Sequence, residues 1–292
     1  MATQIVMNVP KSLQRVGAAL PSGPSVQDAQ VFLFDPLLSS CTLVLTPSGS
    51  SARRTSILVD CGVMGGRPNK SAALVSRLSG FLPKDEGSPV VDYLVLAGPD
   101  PAHTSALPAL FSSTKVESVF HAGDPGLYIP AVRSAALACG GVFPPVHSDL
   151  EHPFVQHEGL AVYAAAVNAT GNPSLSAPGN SLITAVVFGS FHMLLTSDAT
   201  GPAWDLLDSN SRKPWEASGS DFLLAGHPSP TSLDRAPWGS LIDRGKARAG
   251  SELLASTLTA AALPAAYRAG AVVSRRATST RRSTPALHLA LC

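Results

Sequence analysis

The chain has 292 residues, 45% of them hydrophobic and 14% charged, at a mean hydropathy of +0.20; this excludes a wholly disordered, collagen-like or coiled-coil protein. A net charge of +1 excludes binding to nucleic acid or to an anionic membrane by global attraction. The split along the chain is uneven: 9 basic and 3 acidic residues from Thr231 onward, net +6, leave 12 basic and 17 acidic before it, net −5.

The predicted strands are short β-branched and Leu-rich runs, each ended by Gly, Pro or Asp. In chain order they are QVFLF, CTLVL, SILVD, YLVLA, LAVYAAAV, LITAVVF, HMLLTSD and DFLLAG. Helices are predicted at Ser71–Phe81, Ser105–Phe111, Ile129–Cys139 and Pro202–Leu207. Strands in succession, then strand and helix in alternation, then strands again imply an α/β protein with two mixed sheets covered by helices. NATGNPSLSAPGN, from Asn168 to Asn180, reads as a surface loop, and CGVMGG, from Cys61 to Gly66, as a plain turn. Residues 1–230 form the predicted domain. Residues 231–292 read as a polar connector, an Ala-rich helix over Ser251–Val273 and a basic flexible tail. That helix is interrupted by Pro264 and Arg268 and falls short of the ~20 apolar residues of a bilayer span, so no membrane span is expected. Cys41, Cys61, Cys139 and Cys292 are scattered without a C-x-x-C pair, and the first residues lack the apolar run of a secretory signal, so a reducing, cytoplasmic setting is expected.

Four apolar strands end in an ionisable or metal-capable side chain: Asp60, Asp100 with His103, Asp198, and His227. Loops held by a rigid sheet are where α/β proteins place binding groups. If the strand ends converge, two imidazoles and one or two carboxylates suit zinc, or iron or manganese. The plainer alternative is that each Asp caps a turn or the next helix. His147, His152 and His157 recur every five residues, which is no helical or strand period, and read as loop histidines. No G-x-S-x-G elbow is present.

The segment VDYLVLAGPDPAHTSALPALFSSTKVESVFHAGDP resembles the second signature of the metallo-β-lactamase fold, in the branch found in DNA-uptake competence proteins. SCTLVLTPSGSSARRTSILVDCG is similar to that family's opening hairpin and first-motif Asp (Asp60). GNSLITAVVFGSFHMLLTSDAT is similar to its Asn-x-Ser strand, here Asn180-Ser181, and fourth-motif Asp (Asp198), and DFLLAGHPSP to its fifth motif, with His227 at the ligand position. The resemblance covers Val26 to Pro230. It implies a four-layer αβ/βα sandwich with the metal centre at one edge of the sheets. Against the family pattern, Gly98 stands for the first His and Ala102 for an Asp, Asp100 and His103 stand at the other two positions, and Pro228 and Pro230 alter the fifth motif. One metal position then keeps Asp100 and Asp198 alone, too few ligands. The other keeps His103, Asp198 and His227, the ligand count of a one-ion catalytic centre. The resemblance therefore implies a metal-dependent hydrolase of the ester or phosphoester class with one zinc ion (or Fe or Mn) and Asp100 and Asp198 as catalytic carboxylates. Its alternative is a non-catalytic pseudoenzyme or binding scaffold with a protein partner. Neither reading includes a specific nucleic-acid partner. The tail stands where the family has its closing strands, which leaves the second sheet incomplete.

Overall fold

A computed structural model describes residues 29–34, 39–47, 53–63, 67–139, 141–142, 147–176, 178–188, 191–209, 222–224, 272–274 and 287–291. In chain order its elements are β1 (Ala29–Leu33), β2 (Ser39–Leu45), β3 (Ser56–Val63), α1 (Pro68–Ser79), β4 (Lys84–Asp85), β5 (Ser88–Leu96), α2 (Pro101–Thr104), α3 (Leu107–Ser113), β6 (Lys115–His121), α4 (Pro130–Cys139), β7 (Gly141–Val142), β8 (Val155–His157), β9 (Leu160–Ala166), β10 (Ile183–Phe188), β11 (Phe191–Leu195), α5 (Gly201–Ser209), β12 (Phe222–Leu224), β13 (Val272–Ser274) and β14 (Leu287–Leu291). One sheet runs β14-β1-β2-β3-β5-β6-β7, with β4 paired to β5, and the other runs β13-β12-β11-β10-β9-β8.

Side-chain parity builds the layers. Successive residues of a strand face opposite sides, so Val95 and Ala97 point between the sheets while Leu94 and Leu96 point to the helices. Between the sheets, Ile57, Val59 and Val95 meet Val162, Val186 and Met193. On the outer face of the first sheet, Leu58, Leu94 and Leu96 meet Leu74 and Leu78 of α1, Leu107 and Leu110 of α3, and Val132 and Ala136 of α4. On the outer face of the second, Ala185 and Leu194 meet Ala203, Trp204 and Leu207 of α5. The result is helix, sheet, sheet, helix. α1 shows why the helices lie where they do: Pro68 opens it, and Ser71, Leu74, Val75 and Leu78 form one buried stripe at helical spacing.

β3 is buried along its whole length, as a central strand covered on both faces must be. Its parity breaks at Asp60. Ile57 and Val59 face the other sheet, but Cys61 joins Leu58 and Val63 on the helix side. Asp60 has φ 59, and the β2–β3 register shifts between Ser40 and Thr42. A bulge at Asp60 therefore takes up one residue and turns its side chain out of the alternation.

Several sequence expectations are revised. All eight predicted strands are present, but β6 was not among the composition-based runs, because its first residues are polar and half exposed. Gly62 belongs to β3 rather than to a turn. The tail supplies β13, antiparallel to β12, and β14, parallel to β1, so these segments extend both sheets instead of trailing from them. Alternating apolar residues in LHLAL suit an edge strand. The Ala-rich stretch over Ser251–Val273 lies outside the described residues apart from the first residues of β13. Among the described residues no helix is long and apolar enough to cross a membrane.

Candidate metal and catalytic site

The ends of β3, β5 and β11 meet at His103. Val59 pairs with Val95 in parallel, so Asp60 emerges beside the end of β5. The Asp60 carboxylate is buried and fully engaged: the Ala97 N–H donates to Oδ1 at 2.8 Å, and the Ser40 hydroxyl donates to Oδ2 at 2.9 Å. After β5 the chain turns through Gly98 and Pro99 to Asp100, and Pro101 starts α2, whose third residue is His103. Gly62 lets α2 sit directly on β3. A Cβ at Gly62 would lie 2.0 Å from the Ala102 carbonyl oxygen and 2.6 Å from the His103 carbonyl carbon. The Ala106 N–H donates to the Cys61 carbonyl at 3.0 Å, and the Val63 N–H donates to Ser105 Oγ at 2.8 Å, which pins the same contact.

His103 bridges two carboxylates. Its Nδ1 lies 2.8 Å from Asp60 Oδ2 and its Nε2 lies 3.0 Å from Asp198 Oδ2. Burial of the ring opposes protonation, but Asp60 and Asp198 outweigh it and hold the imidazole well above its ordinary 6.5. With a carboxylate oxygen facing each ring nitrogen, the geometry suits a doubly protonated ring that donates from both. Asp198 follows Ser197, whose φ of 47 turns the chain sharply after β11. The second oxygen of Asp198, Oδ1, is buried and has no hydrogen-bond partner among the described residues. α5 supports this turn, with Trp204 Nε1 donating to the Ala199 carbonyl at 3.2 Å.

The expected site residues are thus only partly assembled. Asp60, His103 and Asp198 are brought together. Asp100 stands exposed at the N-terminus of α2; its carbonyl accepts from the His103 N–H, but among the described residues no hydrogen bond joins its carboxylate to the cluster. His227 lies outside the described residues. Leu195 and Leu224 pair in the parallel β11–β12 ladder, and Asp198 and His227 each follow three residues after one member of that pair. Among the described residues no three His, Cys, Asp or Glu side chains form a metal-ready group.

Sequence reasoning passed over Ser40, Gly62 and Ala97, because a lone Ser or Gly in a strand and a backbone N–H carry no motif. It also passed over the buried ends of the 168–180 loop. Asn168 Oδ1 accepts from the Gly123 N–H at 2.8 Å, and Asn180 holds the loop from within, donating to the Asn172 and Leu175 carbonyls. The Leu182 N–H donates to the Ala97 carbonyl at 2.9 Å and sets Ser181 beside Gly98, where an added Cβ would lie 3.9 Å from Ser181 Oγ. His121 packs in the core, and His152 is a surface residue, as its place in a loop implied.

A six-stranded and an eight-stranded sheet packed face to face between helices, with a His–Asp cluster at one edge, make this a four-layer αβ/βα sandwich. No family model matches the chain, and no curated protein matches it. Among solved structures it is similar to the metallo-beta-lactamase fold protein YhfI from Bacillus subtilis, at 15% identity over 72% of this chain and 75% of that one, TM-score 0.41. A metallo-beta-lactamase from Hirschia baltica matches at 15% identity over 70% and 84%, TM-score 0.35. One from Cronobacter sakazakii matches at 16% identity over 83% and 94%, TM-score 0.37. Likeness at this level carries nothing about chemistry, which stands on the geometry of Asp60, His103 and Asp198.

Proposed function

We propose that the protein is a metal-dependent hydrolase of the ester or phosphoester class with a reduced, one-ion site held by His103, Asp198 and His227. The observation that carries this reading is the pair of His103 Nε2 and Asp198 Oδ2 at 3.0 Å, beside a buried Asp198 Oδ1 that has no partner among the described residues. An orphaned carboxylate oxygen is costly in a protein interior, and a cation satisfies it. His103 and Asp198, completed by His227, would suit a metal ion, with zinc preferred and iron or manganese as alternatives. When bound, the ion supplies Lewis acidity that polarises an ester or phosphoryl oxygen and lowers the pKa of water toward about 7.

The chain's own groups do the rest. Asp60 accepts from Nδ1 and so leaves Nε2 as the ligand nitrogen, the usual carboxylate–histidine arrangement behind a metal ligand. Nε2 gives up its proton on binding, which makes metal uptake compete with the imidazolium. Asp198 supplies charge on the opposite side of the ring. Asp100, exposed and outside the cluster, is the carboxylate free to accept a proton, the role that Ala102 cannot take. The likeness to the competence-protein branch, including Asn180-Ser181, belongs to the same proposal, as does a small ester or phosphoester substrate.

A second reading is a pseudoenzyme or binding scaffold that engages a protein partner. It is favoured by the two carboxylates that already balance the His103 charge without a metal, and by Gly98 and Ala102 at two ligand positions. Metal analysis by inductively coupled plasma mass spectrometry, on wild type beside a His103→Ala, His227→Ala double variant, separates the two. The hydrolase reading expects about one equivalent of metal, lost in the double variant. No metal in the wild type after reconstitution with zinc, iron and manganese rejects it.

A further inference from the structure

Ser40 stands opposite Gly62 in the β2–β3 register, where both strands pass beneath α2. Gly62 receives the α2 backbone, and Ser40 meets the His103 ring. Ser40 Oγ lies 2.9 Å from Asp60 Oδ2 and 3.1 Å from His103 Nδ1, and Oδ2 and Nδ1 are 2.8 Å apart. The three atoms form a triangle with only two hydrogens to share, one on the ring nitrogen and one on the hydroxyl. The charged Oδ2 is the strongest acceptor of the three, so both hydrogens point to it. The edge between Nδ1 and Oγ is then close packing, and Ser40 does not compete with Asp60 for the ring. It instead holds Oδ2 from a second side while the Ala97 N–H holds Oδ1 at 2.8 Å. A carboxylate tied at both oxygens cannot swivel, and neither can the ring bonded to it. Ser197 Oγ approaches Nδ1 only at 3.5 Å, too far to do the same.

We propose that Ser40 is a positioning residue of this site, whose hydroxyl acts through Asp60 to fix the His103 ring in the orientation that turns Nε2 toward Asp198. The functional meaning of that orientation rests on the proposed metal site, whereas the orientation itself does not. Two readouts on the full-length protein keep these apart. The first is the imidazole ¹H–¹⁵N spectrum of the metal-free protein. Wild type is expected to show a slowly exchanging His103 Nδ1 proton, Ser40→Ala to exchange it at least about tenfold faster, and Ser40→Thr, which keeps the hydroxyl, to restore it. Ser40→Cys keeps the volume with a poor donor, is expected to follow Ser40→Ala, and replaces it if the Ala variant does not fold. The second is zinc affinity by competition with a chromophoric chelator, expected to weaken about 10- to 100-fold in Ser40→Ala and to recover in Ser40→Thr. A wild type that takes up no zinc defeats the metal-site reading, and proton exchange alone then decides Ser40. Absence of a slowly exchanging Nδ1 proton in the wild type, equal exchange in wild type and Ser40→Ala, or a folded Ser40→Thr that behaves like Ser40→Ala overturns the proposal.

Discussion

Gly62→Ala puts the contact between β3 and α2 to a quantitative test. The added methyl would lie 2.0 Å from the Ala102 carbonyl oxygen, whereas ordinary contact begins at 3.4 Å, so strand and helix must separate by about 1.4 Å. Both partners are backbone, so no side-chain rotation relieves the clash. α2 carries His103, and a shift of that size takes the 2.8 Å contact between Nδ1 and Asp60 past hydrogen-bond range. It also stretches the 3.0 Å bond from the Ala106 N–H to the Cys61 carbonyl. Overpacking costs about 1–3 kcal/mol and each lost bond about 1 kcal/mol, so the expected loss is roughly 2–5 kcal/mol. Gly98→Ala is the matched control, because its Cβ would stand 3.9 Å from Ser181 Oγ in ordinary contact. With fewer unfolded states to lose, it should be neutral or more stable by up to about 1 kcal/mol. Urea denaturation of wild type and both variants reads the difference, and zinc uptake reads the displacement of His103. A Gly62→Ala protein within about 0.5 kcal/mol of wild type, binding zinc equally well, would falsify the account of how α2 is seated.

Three further perturbations probe other parts of the molecule. Asp60→Ala removes the acceptor of the Ala97, Ser40 and His103 hydrogens and leaves a buried imidazole facing one carboxylate, so it should cost about 3–5 kcal/mol by urea denaturation, and a loss under about 1 kcal/mol contradicts it. At Asp92, burial pushes the carboxyl up, but bonds from the Arg53 guanidinium and from the Ser56 N–H and hydroxyl outweigh it and hold it below its ordinary 3.8. Its contribution is therefore present above about pH 4 and fades as pH falls through the native pKa. Asp92→Asn should be less stable than wild type by roughly 2 kcal/mol at pH 7, reduced by the partial exposure of Arg53, with a gap that closes on acidification, and a constant gap refutes the linkage. His121 is buried, neither of its ring nitrogens has a hydrogen-bond partner among the described residues, and burial pushes it below 6.5 against the upward pull of the nearby Ala122 and Gly123 backbone and Asp124. The unfolded chain takes up that proton first, so wild type loses stability as pH drops below about 6.5. His121→Phe, which keeps the ring beside Tyr128, should be at least about 1 kcal/mol more stable at pH 8, with a larger gain at pH 5.5, and destabilisation at both pH values counts against it.

What the sequence disclosed followed from periodicity. Uninterrupted apolar runs such as SILVD and LITAVVF mark strands covered on both faces, and Asp60, His103 and Asp198 showed themselves by standing just past such runs. What stayed hidden depends on three-dimensional neighbours. The Asp60 bulge is a backbone event with no residue signature, and without it Asp60 would face the helices with Leu58. Ser40 and Gly62 matter because of what crosses them from 63 and 40 residues along the chain, respectively. Lys115–His121 was obscured by its polar opening, and β13 and β14 by their brevity within a basic segment. Asn168 and Asn180 are turn formers by type, yet both are buried: Asn168 ties the loop to Gly123 after β6, and Asn180 holds the loop from within.

The left-handed backbone at Asp60 makes that position answer to two separate filters. The φ of 59 admits Gly, Asn and Asp at little cost and penalises every residue with a bulkier Cβ substituent. The surrounding donors, a backbone N–H, a hydroxyl and an imidazole N–H, admit only a group that accepts at both ends. Asn passes the first filter and fails the second, because its amide brings donors of its own. Glu passes the second and fails the first, Gly has nothing to offer the donors, and Asp alone satisfies both. In a library randomised at positions 40 and 60 and selected for the intact site, position 40 has room for two letters, Ser and Thr, and position 60 for one.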